Sequence, residues 1–250
     1  MKVGKWQFRP TLWPTLVALV TFAVLIRLGV WQLHRADYKR GLLQQFHHNV
    51  QLAPLDFNQA AANGQLNKLS RYRHVEARGH YDAAHQLLLN EMQHGDAVGY
   101  EVLTPFVLAP GQQIVMVDRG WLAKSANAQL PSLPLSSDAR RIRGIIGFLP
   151  VPGIRLGKNT VPDGWPKLLL YPRYPTLEKL YGGKLLHPVI WLDPDQADGY
   201  ARDWRPNIGF PPIRHTAYAL QWFAMALAVA VIWIVVNLKR GQNDDRNKSD

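Results

Sequence analysis

The sequence contains no cysteine among its 250 residues. This absence excludes a disulfide scaffold and any chemistry that depends on a thiolate. Three enzyme signatures are also missing: G-x-S-x-G of serine hydrolases, H-E-x-x-H of zinc proteases and G-x-G-x-x-G of dinucleotide-binding enzymes. We therefore predict that the protein is not an enzyme.

Acidic residues are scarce, with 18 Asp and Glu against 29 Lys and Arg, which leaves a formal net charge of +11. Residues 1–40 carry a net +6 and residues 201–250 a net +3, whereas residues 41–200 carry only +2. A nucleic-acid-binding domain would concentrate its basic residues on the folded domain rather than at the chain ends. The distribution therefore predicts no nucleic-acid partner.

Two long apolar runs lie next to the basic ends. Residues 218–238 include Gln221 and Asn237 as their only clearly polar members, and their length matches a membrane-spanning helix. Residues 12–31 form a second candidate, in which Arg27 lies one turn from the end, where its side chain can reach the headgroups. A cleaved signal peptide is the alternative for this first run, but no small-x-small cleavage site follows it.

Two spans would place both termini on one side of a membrane. Because short basic tails favour the cytoplasm, we predict cytoplasmic tails at residues 1–11 and 239–250, spans at 12–31 and 215–238, and a periplasmic β-rich domain at 32–214. An intermembrane space is the alternative location for the domain. The sequence shows no mitochondrial presequence before the first span, so we expect a bacterial inner membrane.

The region between the spans has a β-like pattern. After a helix that continues from the first span to about residue 49, six short apolar runs are separated by Gly and Pro between residues 71 and 193. They predict a mainly antiparallel β domain, barrel-like or sandwich-like, with a few helices. One of these helices is expected at residues 175–181, before two glycines.

A histidine with aromatic neighbours opens the second span. His215, Tyr218 and Trp222 are three and seven residues apart, so they share one face of a helix. The other histidines lack the close pairing typical of metal ligands. His215 is therefore the candidate ligand residue.

The first span would bring a matching face to the same side of the membrane. Arg27, Trp31 and His34 are spaced four and seven residues apart, again on one helix face. An imidazole between flat aromatic rings, with Arg27 and Arg214 nearby, suits a planar ligand that carries carboxylates, such as haem with its propionates. The alternative is that these residues are interfacial anchors and helix-packing residues that bind no ligand.

The segment Arg119-Gly120-Trp121 follows an apolar run and is interpreted as a strand-end turn. A structural role predicts that Gly120 supplies an unusual φ, that Arg119 pairs with a carboxylate and that Trp121 fills the core. The alternative is a partner-binding role. We favour the structural role.

Several motifs in order resemble the surfeit locus protein 1 family from Gly29 to about Ala224. They are G-V-W-Q-L-H-R with Lys39 at residues 29–39, Y-R and R-G at 72–79, T-P-F at 104–106, V-M-V-D-R-G-W at 115–121 and H-T-A-Y-A-L-Q-W-F at 215–223. Arg214 departs from the family's usual asparagine, and the segment after Trp165 lacks an expected acidic residue.

The resemblance implies an assembly factor for haem-copper terminal oxidases such as cytochrome c oxidase, which holds haem a transiently as a chaperone and assists its delivery. It implies that the partners are the oxidase's catalytic subunit, membrane lipid and, as further candidates, haem a synthase and other assembly factors. The alternative is a scaffold that holds oxidase subunits or the synthase without binding the cofactor. The resemblance places the family's candidate axial haem ligand at His215. In the chaperone hypothesis, three rings line the macrocycle and three arginines neutralise its propionates: Trp31, Tyr218 and Trp222, and Arg27, Arg35 and Arg214.

Overall fold

The computed structural model describes residues 2–3, 6–125, 130–150, 161–206 and 208–240. The chain forms two compact units: a helical unit, Met1–Gln44 with Asn207–Asp250, and a barrel unit, Gln45–Pro206. The helices are α1 (Leu12–Gln51), α2 (Phe57–Ala62), α3 (Tyr174–Tyr181) and α4 (Pro212–Asn237), with a short 3₁₀ helix at Leu66–Lys68. The strands are β1 (Lys2–Val3), β2 (Trp6–Phe8), β3 (Leu55–Asp56), β4 (His74–Tyr81), β5 (Leu87–His94), β6 (Ala97–Leu108), β7 (Ile114–Ala123), β8 (Arg140–Gly147), β9 (Lys167–Leu169), β10 (Leu185–Leu192) and β11 (Leu238–Arg240).

The helical unit contains two helices that are long and apolar enough to cross a membrane, α1 and α4. They lie antiparallel, since Trp233 Nε1 near the end of α4 donates to Thr15 Oγ1 near the start of α1 over 3.1 Å. At 1.5 Å per residue, α1 is about 60 Å long, so it extends well beyond the thickness of a bilayer core. The sequence predicted this extension to about residue 49, and α1 ends at Gln51.

A small sheet lies at the ends of the same two helices. β2, just before α1, pairs with β1 and with β11, which follows α4. The Phe8 and Trp233 rings meet edge to face with centroids 5.3 Å apart. Part of the predicted second tail, residues 241–250, lies outside the described residues.

The barrel unit is built on a closed five-stranded β-barrel. Its strand order is β4-β8-β10-β7-β6, and β6 pairs again with β4 to close the cylinder. The barrel pairs are antiparallel except for β7 with β10, while β3 extends β4 and β5 extends β6. The predicted fold class is confirmed, and the structure decides for a barrel over a sandwich.

Two apolar cores form on opposite faces of the barrel strands. Alternation along β7 sends Val115 and Val117 into the inner core and Met116 into an outer core. α3 covers the outer core with Leu177 and Tyr181. Part of the outer surface of the barrel is therefore covered by α3 and buried in the outer core.

Most of the predicted elements of this unit are confirmed, and four short ones were missed. The six apolar runs correspond to β4, β5, β6, β7, β8 and β10, and the expected helix is α3, which ends before Gly182. The missed elements are β3, β9, α2 and the 3₁₀ helix. Their lengths of two, three, six and three residues are too short for a periodic pattern. α2 depends instead on a local cap, in which the Asp56 carboxylate accepts from the backbone N–H of Gln59 at 3.0 Å.

Candidate functional site

His215 lies in the first turn of α4, with only 8% of its surface exposed. Its Nδ1 is 2.7 Å from Gln32 Oε1 on α1. Because an amide oxygen can only accept, Nδ1 carries a proton, and in the neutral imidazole Nε2 then keeps its lone pair. Among the described residues, the buried Nε2 has no hydrogen-bond partner. The contact with Gln32 thus selects the tautomer of the neutral ring that leaves Nε2 for a ligand.

Two basic residues of α1 hold the start of α4 against α1. Lys39, which is 7% exposed, donates from Nζ to the Phe210 carbonyl oxygen at 2.7 Å. Arg40 Nη2 donates to Thr216 Oγ1 at 3.0 Å. These bonds bracket His215 in sequence, so they restrict its position relative to α1.

A close approach between the same helices lies further along. Gly29, one turn before Gln32, leaves space for the Phe223 ring: a Cβ added at Gly29 would lie 2.3 Å from Phe223 Cε1. Small residues allow helices in membranes to approach closely. Gly29 therefore fixes the separation of α1 and α4 near His215.

The predicted face of α1 forms a groove of about 580 Å³. Arg27, Trp31 and His34 line it together, and every described residue of its lining belongs to α1. Trp31 remains 52% exposed. The structure thus gathers these three side chains as their spacing predicts, while the direct neighbour of His215 on α1 is Gln32.

The other predicted site residues lie in the first half of α4 and near the middle of α1. Tyr218 is 42% exposed and Trp222 is half-buried. The Arg35 guanidinium lies 5.9 Å from the centroid of the Tyr38 ring, and that of Arg214 lies 5.0 Å from the Phe210 ring. Both arginines are exposed.

Sequence reasoning named Gln32 and Lys39 only as motif letters and gave them no role. The sequence held an indication for each residue. Gln32 is an amide at the end of an apolar run and Lys39 is a lysine on a helix, and both kinds of side chain need hydrogen-bond partners when they are buried. What the sequence could not supply was the rotation of one helix against the other, which decides which of these side chains meets His215.

In the barrel unit, the interpretation of the segment at 119–121 needs correction. Arg119 is 2% exposed and lies inside β7, not at a strand-end turn. Instead of pairing with a carboxylate, its guanidinium donates to the Asp198 carbonyl oxygen at 2.6 Å and to Gln86 Oε1 at 2.9 Å. The first bond ties the loop after β10 to β7, and the second holds the residue before β5, so Arg119 has a structural role.

Of the two residues that follow Arg119, Gly120 has its expected role and Trp121 does not. Gly120 has φ +101°, as its expected role requires. Trp121 does not fill the core: it is half-exposed, stacks on His94 and donates from Nε1 to the Met92 carbonyl oxygen at 2.8 Å. The register between β6 and β7 shifts at this segment, which explains why a strand interior resembled a turn in the sequence.

Within the described residues, no three His, Asp or Glu side chains come together as a metal site. Exposed His–carboxylate pairs occur, such as His85 Nδ1 with Asp82 Oδ2 at 2.7 Å. These pairs are exposed to water. A hydrolytic site would also need a nucleophile beside such a pair.

Comparison with known proteins gives consistent results. A model of the SURF1 family matches residues 19–227. The chain is 23% identical to mouse Surfeit locus protein 1 over 241 residues, which cover 87% of this chain and 74% of the mouse protein. It is 26% identical to a SURF1-like protein of Rickettsia felis over 239 residues, 88% of this chain and 95% of that one. A SURF1-like protein of Dictyostelium discoideum is 28% identical over 113 residues, 42% of this chain and 41% of that one.

Proposed function

The chain belongs to the SURF1 family, and from this premise we propose that it assists the assembly of a haem-copper terminal oxidase by holding haem a as cargo. The cargo would pass to the oxidase's catalytic subunit. The further partners we propose are haem a synthase, other assembly factors and membrane lipid. The protein would act in a bacterial inner membrane, with α1 and α4 as spans and the barrel unit in the periplasm.

One observation carries this proposal: the buried imidazole of His215 with its unpartnered Nε2. Neutral imidazole nitrogen is a common axial ligand of haem iron. A hydrogen-bond acceptor beside the other ring nitrogen fixes the tautomer and raises the basicity of the ligand, and Gln32 Oε1 is such an acceptor. The donor set therefore fits the cargo.

The surroundings supply the other features that haem needs. Trp31, Tyr218 and Trp222 offer flat apolar surface for a macrocycle. The guanidinium groups of Arg27, Arg35 and Arg214 can neutralise two propionates, and all three arginines are exposed and therefore accessible.

Entry of the cargo must rearrange this site. The Nε2 atom is almost fully covered in the structure, so iron can reach it only after neighbouring side chains move. His215 is near the helix start, and the chain before α4 is tied to α1 through Lys39 and Phe210. We propose that loosening of this tie admits haem and that its re-formation retains it.

The test is purification of the full chain from cells that synthesise haem a, followed by absorption spectroscopy and quantification of bound haem. His215→Ala should lose most of the haem, whereas His48→Ala is the matched control, because His48 is an exposed histidine of α1 outside the groove. His215→Met should retain some haem with a shifted spectrum, since thioether replaces imidazole. Gln32→Ala should bind more weakly, because the tautomer is no longer fixed.

Equal haem content in the His215→Ala and unmutated proteins would refute iron ligation by this residue. Co-purification of oxidase subunits that survives the same substitution, with no haem in either protein, would favour the alternative of a scaffold that binds no cofactor. Because the chain carries no cysteine, covalent haem attachment through thiols does not complicate either measurement.

A further inference from the structure

The barrel unit contains a second cavity, of about 490 Å³, on the outer side of the barrel strands. Two carboxyl groups, Glu101 on β6 and Asp118 on β7, line it together with two tryptophans and two arginines. The volume is in the range of small-molecule sites. Every described residue of its lining belongs to the barrel unit.

The two carboxyl groups form a hydrogen-bonded pair at the closed end of the cavity. Asp118 is 4% exposed, and its Oδ1 accepts from the backbone N–H of Gly120 at 3.0 Å. Burial raises the pKa of Asp118 well above its usual range, and the adjacent Glu101 raises it further. Burial also raises the pKa of Glu101, while Asp118 and His94 act in the opposite direction. Burial and the mutual interaction of the two groups thus favour the protonated form of the pair.

No described residue forms an ion pair with either carboxyl group. The two arginines of the lining are exposed, so they lie towards the opening. One of them, Arg205, pairs with Asp203 at 2.8 Å. The carboxyl groups at the closed end of the cavity therefore have no lysine or arginine partner among the described residues.

The other arginine is held in place by aromatic rings. The Arg71 guanidinium lies 5.0, 5.7 and 5.8 Å from the ring centroids of Tyr72, Trp191 and Phe148. These contacts orient the cation, and within the part of the chain that the structure describes its N–H donors have no hydrogen-bond acceptor, so they can bind an anion. Trp204 stacks on Trp191 with centroids 5.2 Å apart and extends the aromatic wall. The cavity is thus cationic at its opening and anionic at its closed end.

We propose that this cavity binds a zwitterion whose primary ammonium group meets Glu101 and Asp118 and whose carboxylate or phosphate group meets Arg71. A cation alone would meet the repulsion of Arg71, and an anion alone would meet that of the carboxyl pair. A zwitterion complements both ends. Free amino acids and the phosphoethanolamine headgroup of a lipid share this chemistry.

A positive charge beside the pair favours the ionised form of both carboxyl groups, whose pKa burial raises. Binding of the ammonium group therefore releases to the buffer any proton that the pair holds. Among the described residues, His94, which acts on Glu101, and the two arginines of the lining, Arg71 and Arg205, are the other titratable groups that face the pair.

The test is isothermal titration calorimetry on the full chain in detergent, in two buffers of different ionisation enthalpy, from pH 6 to 8. The probes are 4-aminobutyrate for free amino acids, O-phosphoethanolamine for the headgroup, and the single-charge compounds butylamine and butyrate. We expect at least one zwitterion to bind at least tenfold more tightly than either single-charge compound and to release protons. The tighter of the two zwitterions identifies the source.

Variants assign the two ends of the ligand. Glu101→Gln should weaken zwitterion binding at least tenfold and abolish proton release, and Arg71→Gln should weaken binding while proton release remains. Glu91→Gln is the matched control, since Glu91 is an exposed carboxylate that pairs with Lys124 outside the cavity. Unchanged circular dichroism shows that each variant is folded, and Asp118→Asn replaces Glu101→Gln if the latter does not fold.

Three results would overturn the proposal: no heat from either zwitterion at millimolar concentration, equal affinity of a single-charge compound, or equal affinity of Glu101→Gln and the unmutated protein. None of these results bears on haem binding by His215, which has its own assay.

Discussion

Replacement of Gly120 by alanine should destabilise the barrel unit far more than replacement of another glycine with a similar backbone. Gly120 has φ +101° and Gly111 has φ +119°, so an alanine is strained at both positions. Such strain costs on the order of 1–3 kcal/mol. A Cβ at Gly111 would have no neighbour within 4 Å, whereas at Gly120 it would lie 2.5 Å from the Ala201 carbonyl oxygen.

The additional cost at Gly120 follows from the bonds that the new methyl group would break. The segment at residues 200–201 is tied to β7 by three backbone hydrogen bonds, of 2.7, 2.8 and 3.1 Å, that involve Arg119 and Trp121. Each contributes about 0.5–1.5 kcal/mol net. Displacement of Ala201 would break them together, so Gly120→Ala should lose roughly 3 kcal/mol more than Gly111→Ala.

Thermal unfolding of the full chain in detergent, followed by tryptophan fluorescence, measures this difference. For a unit of this size, 3 kcal/mol corresponds to a difference in Tm of roughly 6–12 °C. If the two variants unfold within about 1 °C of each other, the close approach of residues 120 and 201 does not stabilise the barrel as described.

Three further substitutions test other parts of the structure. The pKa of Asp118 is raised in the folded protein, so stability should fall as the pH rises from the ordinary aspartate value of 3.8 through the folded-state pKa. Asp118→Asn should flatten this decline, which is measured as Tm between pH 4 and 8. Arg119→Lys should cost roughly 3 kcal/mol in chemical unfolding, nearly as much as Arg119→Met, because an ammonium group cannot reproduce the forked donors of a guanidinium group; a loss below about 1 kcal/mol would contradict this. Gly29→Leu should force α1 and α4 apart and lower the yield of a disulfide engineered across their interface. The double variant Gly29→Leu/Phe223→Ala should recover part of this yield. An unchanged yield in Gly29→Leu alone would contradict the close approach of the two helices.

The sequence predicted the elements whose patterns are long and left the relations between them open. The strands from β4 to β8 and β10 have apolar runs bounded by Gly or Pro, and both long helices have a composition that only a spanning or fully buried helix shares. Closure of the barrel by β4 with β6 depends on pairing between distant segments, for which no local pattern exists.

The same limit applies to the candidate site. Spacing places Arg27, Trp31 and His34 on one helix face, and the structure shows them along one groove. Spacing on each helix separately cannot decide which residue of α1 meets His215, because neighbouring residues of a helix differ by about 100° in direction. The partner is Gln32, one position from Trp31.

The strand order of the barrel has a consequence for biosynthesis. β10, the last barrel strand in the chain, lies between β7 and β8 and joins two parts of the cylinder that were made earlier. A nascent chain that ends before Leu192 therefore lacks the strand that completes these pairings, and the barrel closes only after nearly all of its residues have left the ribosome. α4 begins at Pro212, shortly after β10. The last barrel strand and the second long apolar helix thus emerge from the ribosome in close succession.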